Sequence, residues 1–292
     1  MAVRLQTAAA SQARAILLML GAILLFSLMD ATVKALAPRI GIMPTLWARY
    51  AGQMLIVLII VSPRLTTVVR TAMPGMQLLR SLLLLCATGC FFTGISLIAL
   101  TDAAALMATN PVFITLGAAL FLGERIGLRR AGGILAALVG AMIVIRPGSD
   151  IFTPAALFPL AAAISYSGYA LLTRRVGHSE DVWTSLFYTA LVGTVLLTAA
   201  VPFFWVPMQA IDWLLIVAVA GLATSGQLLL IRALSQGEAA MLAPYSYVGL
   251  ILATAWGILF FAEWPDLWSI VGMLVIAGAG LYVWHRETAS GT

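Results

Sequence analysis

Charge is what this chain has least of. Only 9% of its 292 residues are Asp, Glu, Lys or Arg, where a soluble domain carries about 25%. Histidine occurs twice and cysteine twice. There is no His-Glu-x-x-His, no Cys/His constellation and no pair of membrane aspartates, so the sequence offers nothing for a metal site or a cofactor. Cys86 and Cys90 lie four apart in one apolar run that Gly94 continues, the spacing of a small-residue packing face rather than a disulfide. So little polar surface excludes an ordinary cytosolic enzyme, a nucleic-acid-binding domain and a disordered tail.

Apolar residues make up 62% of the chain and the mean hydropathy is +1.06. At about 20 apolar residues per spanning helix, this length predicts ten helices with short connections. Charges and prolines divide them at 14–36, 44–62, 76–98, 102–123, 129–146, 154–173, 183–205, 211–232, 238–261 and 266–284. Long continuous runs favour helices over the alternating strands of a barrel. Arg4 is followed by Gln6, Thr7, Ser11, Gln12 and Arg14, which interrupt any signal-peptide core, so the first helix is expected to be retained.

The cations are sorted. Twelve of the 16 Lys and Arg, Arg80 among them, fall at the N-terminus, the C-terminal segment and the even-to-odd connections. Only Lys34, Arg39 and Arg146 fall at the opposite ends, and Arg49 lies within a span. The positive-inside rule then puts both termini in the cytoplasm of a bacterial-type inner membrane.

A repeat runs through the chain. At an offset of 140, Phe26 meets Tyr166, Ser27 meets Ser167 and Lys34 meets Arg174. At an offset of 139, Phe121 meets Phe260, Glu124 meets Glu263 and Gly133 meets Gly272. Two units follow, 1–147 and 148–292, of five helices each. Five is odd, so the copies must insert in opposite orientations. The charges agree: Arg125, Arg129 and Arg130 follow Glu124, whereas Trp264, Asp266 and Trp268 follow Glu263. Inverted repeats are the architecture of many alternating-access carriers.

Several motifs resemble a known module. Ala99-Leu100 through Ala105, Asn110-Pro111-Val112, and Leu122-Gly123-Glu124-Arg125 with Gly132-Gly133 look like the EamA module. Ala243-Pro244-Tyr245-Ser246-Tyr247, Phe260 through Asp266 and Gly272 resemble its second copy, and Pro44 with Arg49 the start of its second helix. The resemblance covers nearly the whole chain and implies a ten-helix member of the drug/metabolite transporter superfamily, nearest the YddG-like amino-acid exporters. One departure is visible: Leu250 stands opposite Pro111. The resemblance implies a transporter rather than an enzyme, with a small-molecule cargo, the bilayer as its surroundings and a monomeric or homodimeric state.

A carrier needs polar groups at mid-membrane depth. Phe26-Ser27 and Tyr166-Ser167 lie roughly 18 Å into their helices at 1.5 Å per residue. With Tyr169, Asn110, Gln227, Tyr245 and Tyr247 they form the predicted substrate-binding set. Pro111 has no N–H, which leaves the Met107 carbonyl without its helical donor and predicts a kinked or unwound fourth helix. Each residue also has a plainer role open to it: a serine bonding its own helix, a proline kink, a glutamine joining helices. Tyr245 and Tyr247 are two apart, so one at most faces a given cavity. Glu124, Glu263, Gly133 and Gly272 are assigned to the scaffold.

Asp30 is the one carboxylate clearly within a span, with Lys34 four residues on. Either the two pair locally or Asp30 forms an outer gate with Arg49 or Lys34. On that basis no carboxylate remains for a dedicated proton relay, which favours facilitated diffusion or a proton coupling that the sequence does not display. With no midplane cluster of cations expected, amino acids or organic cations suit the cavity better than nucleotide sugars. A channel and an intramembrane enzyme are the competing classes.

Overall fold

The structure, a computed structural model, describes residues 2–122, 128–146, 153–176, 180–236 and 243–290. Among them every regular element is helical. The first two helices, α1 (Ala2–Ile40) and α2 (Ile42–Val61), meet at Gly41, whose φ of 85° is the left-handed turn that a glycine makes without strain. A short α3 (Leu65–Val68) leads to α4 (Pro74–Leu97), which starts on its proline, a residue suited to the first turn because no N–H is needed there. The fourth span is two helices, α5 (Leu100–Met107) and α6 (Asn110–Leu122), and α7 (Leu128–Ile145) closes the first half. The second half contains α8 (Leu157–Val176), α9 (Val182–Ala200), α10 (Ala210–Gln236), α11 (Val248–Phe261) and α12 (Leu267–Ser290). Residues Ala243–Tyr247 form a 3-10 turn ahead of α11.

Six helical stretches are long and apolar enough to cross a membrane, and four shorter ones are Leu100–Ile114, Ala131–Ile145, Tyr245–Phe261 and Leu267–Tyr282. The protein is an all-α polytopic membrane protein. The predicted division near Thr101–Asp102 lies slightly earlier, at the extended Ile98, and both residues belong to the first turn of α5.

Large apolar side chains such as Leu55, Val217, Ile251 and Leu274 are exposed along the outside, as lipid contact requires, while small residues line the helix contacts. A Cβ on Gly140 would lie 3.0 Å from the Gly272 carbonyl oxygen, so α7 and α12 touch backbone to backbone. Gly94 packs against the Pro159 ring of α8, but Cys86 of the same stripe is exposed. Gly132, the start of the Gly132-Ala136-Gly140 stripe, has no neighbour there.

Among the described residues several helix contacts recur under exchange of the halves, whereas α1–α4, α1–α2 and α2–α4 have no counterpart of similar extent. The α1–α10 contact corresponds to α8–α4, α2–α10 to α9–α4, and α1–α11 to α8–α6, while α2–α9 and α7–α12 map onto themselves.

Candidate substrate cavity

The break in the fourth span builds the site. The chain turns at Ala108–Thr109, where Thr109 N–H and its hydroxyl both donate to the Leu106 carbonyl. Pro111 occupies the first turn of α6, where its missing N–H costs least. The unwound segment faces a cavity of about 180 Å³. Phe26, Ser27 and Asp30 of α1 form one wall, Asn110 lies at the break, and Ser246, Gly249, Leu250 and Ala253 come from the second half. Four residues of the sequence-derived set, Phe26, Ser27, Asp30 and Asn110, therefore share one cavity.

The serines are not idle within it. Ser27 hydroxyl donates to the Leu24 carbonyl (2.9 Å) and receives the Trp256 indole N–H of α11 (3.1 Å), so it joins the two halves across the cavity wall. Ser167 hydroxyl reaches Ala163 carbonyl (2.6 Å) on its own helix and Asn110 carbonyl (2.9 Å) at the break. It stabilises the unwound segment rather than lining the cavity.

The tyrosines form a second cluster. Tyr166 and Tyr169 rings are 5.6 Å apart, and Gln227 side-chain N–H donates to Tyr169 hydroxyl at 3.1 Å. Arg80 lies 5.5 Å from the Tyr169 ring centroid. Tyr247 lies elsewhere: its ring fills the space at Gly280 and lines a small cavity with Pro111, Gly133 and Ile276. Tyr245 lines neither of these two cavities. Glu124 lies outside the described residues.

Three expectations about charge need correction. Arg80 is no loop cation; it is 1% exposed, seven residues into α4, and hydrogen-bonded to Ser185 carbonyl and to the hydroxyls of Thr189 and Thr173. Arg49 is 7% exposed within α2. The interior therefore does hold two cations. Lys34 does not pair with Asp30: its ammonium is 2.8 Å from Glu263 and donates to the carbonyls of Ile95 and Ile98. Glu263 also accepts the Leu100 N–H at 3.0 Å, so the residue assigned to the scaffold bridges α1 and the start of α5.

That latch has neighbours at the same end. Arg39, after Lys34 on α1, pairs with Asp212, which also accepts the Gln209 N–H at 2.8 Å in the manner of a capping box. Arg146 is 2.7 Å from Asp266, and Asp266 caps α12 through Ser269 N–H at 2.7 Å. Burial works against the Asp266 charge, but the Ser269 and Arg146 hydrogen bonds outweigh it and hold the carboxyl below the ordinary carboxylate range. No group of three or more His, Cys, Asp and Glu suited to a metal occurs among the described residues.

A broken helix, a cavity walled by both halves and a line of ion pairs across one end are what a solute carrier requires, and the sequence comparisons decide the family. The profile of the EamA-like transporter family matches twice, over residues 13–146 and 153–284. The chain belongs to the EamA-like transporter family. It is similar to the pseudopaline exporter CntI of Pseudomonas aeruginosa, 29% identical over 87% of this chain and 90% of that one. A riboflavin transporter of Rhizobium johnstonii is 33% identical, over 75% of this chain and 72% of the relative. An S-adenosylmethionine uptake transporter of Rickettsia bellii is 28% identical over 75% of each. A solved crystal structure covers 92% of this chain and 96% of its own, with a TM-score of 0.64 at 20% identity, which shows the fold. The protein is a membrane transporter of a small molecule, not an enzyme.

Proposed function

We infer that this EamA-family transporter exports amino acids, apolar and aromatic ones included, across the inner membrane by alternating access. One observation carries the reading: a single cavity at the break in the fourth span takes its walls from both halves. Residues 1–147 and 148–292 act as two oppositely inserted units that rock about that cavity, with both termini cytoplasmic. Tyr166, Tyr169 and Gln227 form the interior face that the cargo meets as the halves move. Phe26 and Trp256 offer apolar surface for a side chain, and Asp30, Ser27 and Asn110 offer polar contacts.

The relatives' names include export of pseudopaline and uptake of S-adenosylmethionine, so an uptake carrier is the second reading. The test is flux in proteoliposomes of known orientation, with a panel of amino acids, organic cations and vitamins. Saturable phenylalanine or leucine flux with counterflow supports the proposal. Flux linear in solute concentration without counterflow would make the protein a channel, and saturable flux confined to another solute class would replace the cargo.

A further inference from the structure

The cavity at the break carries one charged side chain, and that charge is unanswered. Asp30 lines it beside Ser27 and Asn110, and no Lys, Arg or His lines it with them. The lysine four residues on is committed to Glu263 and to the carbonyls of Ile95 and Ile98. Among the described residues no hydrogen bond and no ion pair reaches the Asp30 carboxylate, and its oxygens are not among the sealed polar atoms. Neither interior arginine belongs to this wall: Arg80 is held by Ser185, Thr189 and Thr173, and Arg49 rests on the faces of Tyr50 and Phe92. An unanswered carboxylate at membrane depth is costly, and it marks a place where a ligand supplies the missing charge.

The break adds a second source of the same sign. Pro111 has no N–H to give the Met107 carbonyl, and the Val112 N–H turns to the Thr109 carbonyl instead of that of Ala108. Among the described residues the Met107 and Ala108 carbonyls therefore accept no hydrogen bond. Both residues line the cavity, so α5 ends there with its carbonyl end, the negative pole of a helix. The same wall includes Phe26 and Phe91, and an aromatic ring attracts a cation across its face. Carboxylate, free carbonyls and aromatic rings all favour one kind of ligand group, a positive one.

We propose that Asp30 and the carbonyl end of α5 form a cation subsite that holds the protonated nitrogen of the cargo, and that the cavity makes no demand for a carboxylate. This rests on the reading of the cavity as the cargo site and sharpens it. An amino acid enters by its ammonium. Amines, and amino acids whose carboxyl is capped, are held at least as well, because a free carboxylate meets Asp30 and finds no counter-charge in the wall. An N-acylated amino acid keeps the carboxylate and loses the cation, and it is the solute the cavity rejects.

The experiment is equilibrium binding of labelled phenethylamine to the purified protein in lipid nanodiscs, competed with phenylalaninamide, phenylalanine and N-acetylphenylalanine. A charged hydrogen bond is worth about a tenfold to hundredfold change in affinity. On the wild type, the amide should compete at least as well as the acid, and the N-acetyl form at least about tenfold less well than the amide. Asp30→Asn should weaken phenethylamine by about tenfold or more and bring the amide and N-acetyl forms closer, whereas Asp30→Glu, which keeps the charge, should retain part of the preference. An N-acetyl form that competes as well as the amide on the wild type would overturn the proposal without any variant. So would wild-type phenethylamine affinity in folded Asp30→Asn, or no saturable phenethylamine binding at all. Phenylalanine flux in proteoliposomes is measured beside it and judges the amino-acid reading separately. Saturable flux without the amine preference would leave that reading standing and remove the subsite; the amine preference without phenylalanine flux would keep the subsite and replace the cargo by amines.

Discussion

At the scale of single residues, the cavity wall is held where the Trp256 indole N–H of the second half reaches the Ser27 hydroxyl of the first. Phe26, Ser27, Asp30 and Asn110 were found by depth alone, because a polar group in the middle of an apolar run needs either a neighbour or a cavity. Trp256 was missed, although its indole N–H is the group that reaches Ser27. The signal available was an indole mid-way along an apolar helix, a donor that must be satisfied somewhere. Tyr166 lies against Tyr169, and neither ring lines the cavity. Substituting Tyr166→Ala is expected to weaken apparent affinity for bulky apolar amino acids by about 1–2 kcal/mol, with small ones affected less. The measurement is flux at subsaturating solute and equal protein level; unchanged affinity for every solute would leave Tyr166 as packing only. Gln227→Leu removes the donor to Tyr169 hydroxyl, and is expected to weaken transport of the same solutes in the same direction.

At the scale of elements, the run lengths and prolines placed the helices well, while the charged pairings between helices could not be seen. Lys34 and Asp30 are four apart on one helix, a spacing that favours a pair in isolation. Glu263 and the carbonyls of Ile95 and Ile98 win because they gather round the ammonium where α4 ends and its last carbonyls have no helical N–H to accept. This junction ties α1, α4 and the start of α5 to the second half, and it must part if that end of the bundle opens. Glu263→Gln is expected to raise labelling of a cavity cysteine from that end about fivefold, which corresponds to ~1 kcal/mol of opening free energy. Unchanged labelling would make the junction structural. Asp266 is a plainer case, a cap on α12 that also pairs with Arg146. Asp266→Ala should cost about 1 kcal/mol of thermal stability, the usual loss for a helix cap. The folded carboxyl titrates below its unfolded value, so its contribution is present above the unfolded value. It fades as pH falls through the folded one. A Tm difference between wild type and Asp266→Ala that grows as pH falls below that point would contradict this.

At the scale of the whole molecule, the two copies read from offsets of 139 and 140 correspond to the two stretches that the family profile matches, 13–146 and 153–284. The α1–α10 and α8–α4 contacts are the pair that an exchange of the two copies would relate. The hidden part was the interior electrostatics: Arg80 follows Pro74 so closely that it counts with the connection in a linear reading, yet α4 starts early enough to bury it. The charge sorting predicts the topology: reporter fusions at Thr292 and after Asp150 are expected to report cytoplasmic and external positions respectively. On the alternating-access reading, one cavity between two oppositely inserted halves is reached from either side in turn. Ser27→Cys, in a Cys86→Ala/Cys90→Ala background, puts a near-isosteric thiol in that cavity. Labelled with a membrane-impermeant thiol reagent applied to one face and then the other, it is predicted to react from both, and a saturating transported solute should protect it from both. Reaction from one face only, with and without solute, would contradict alternating access through this cavity.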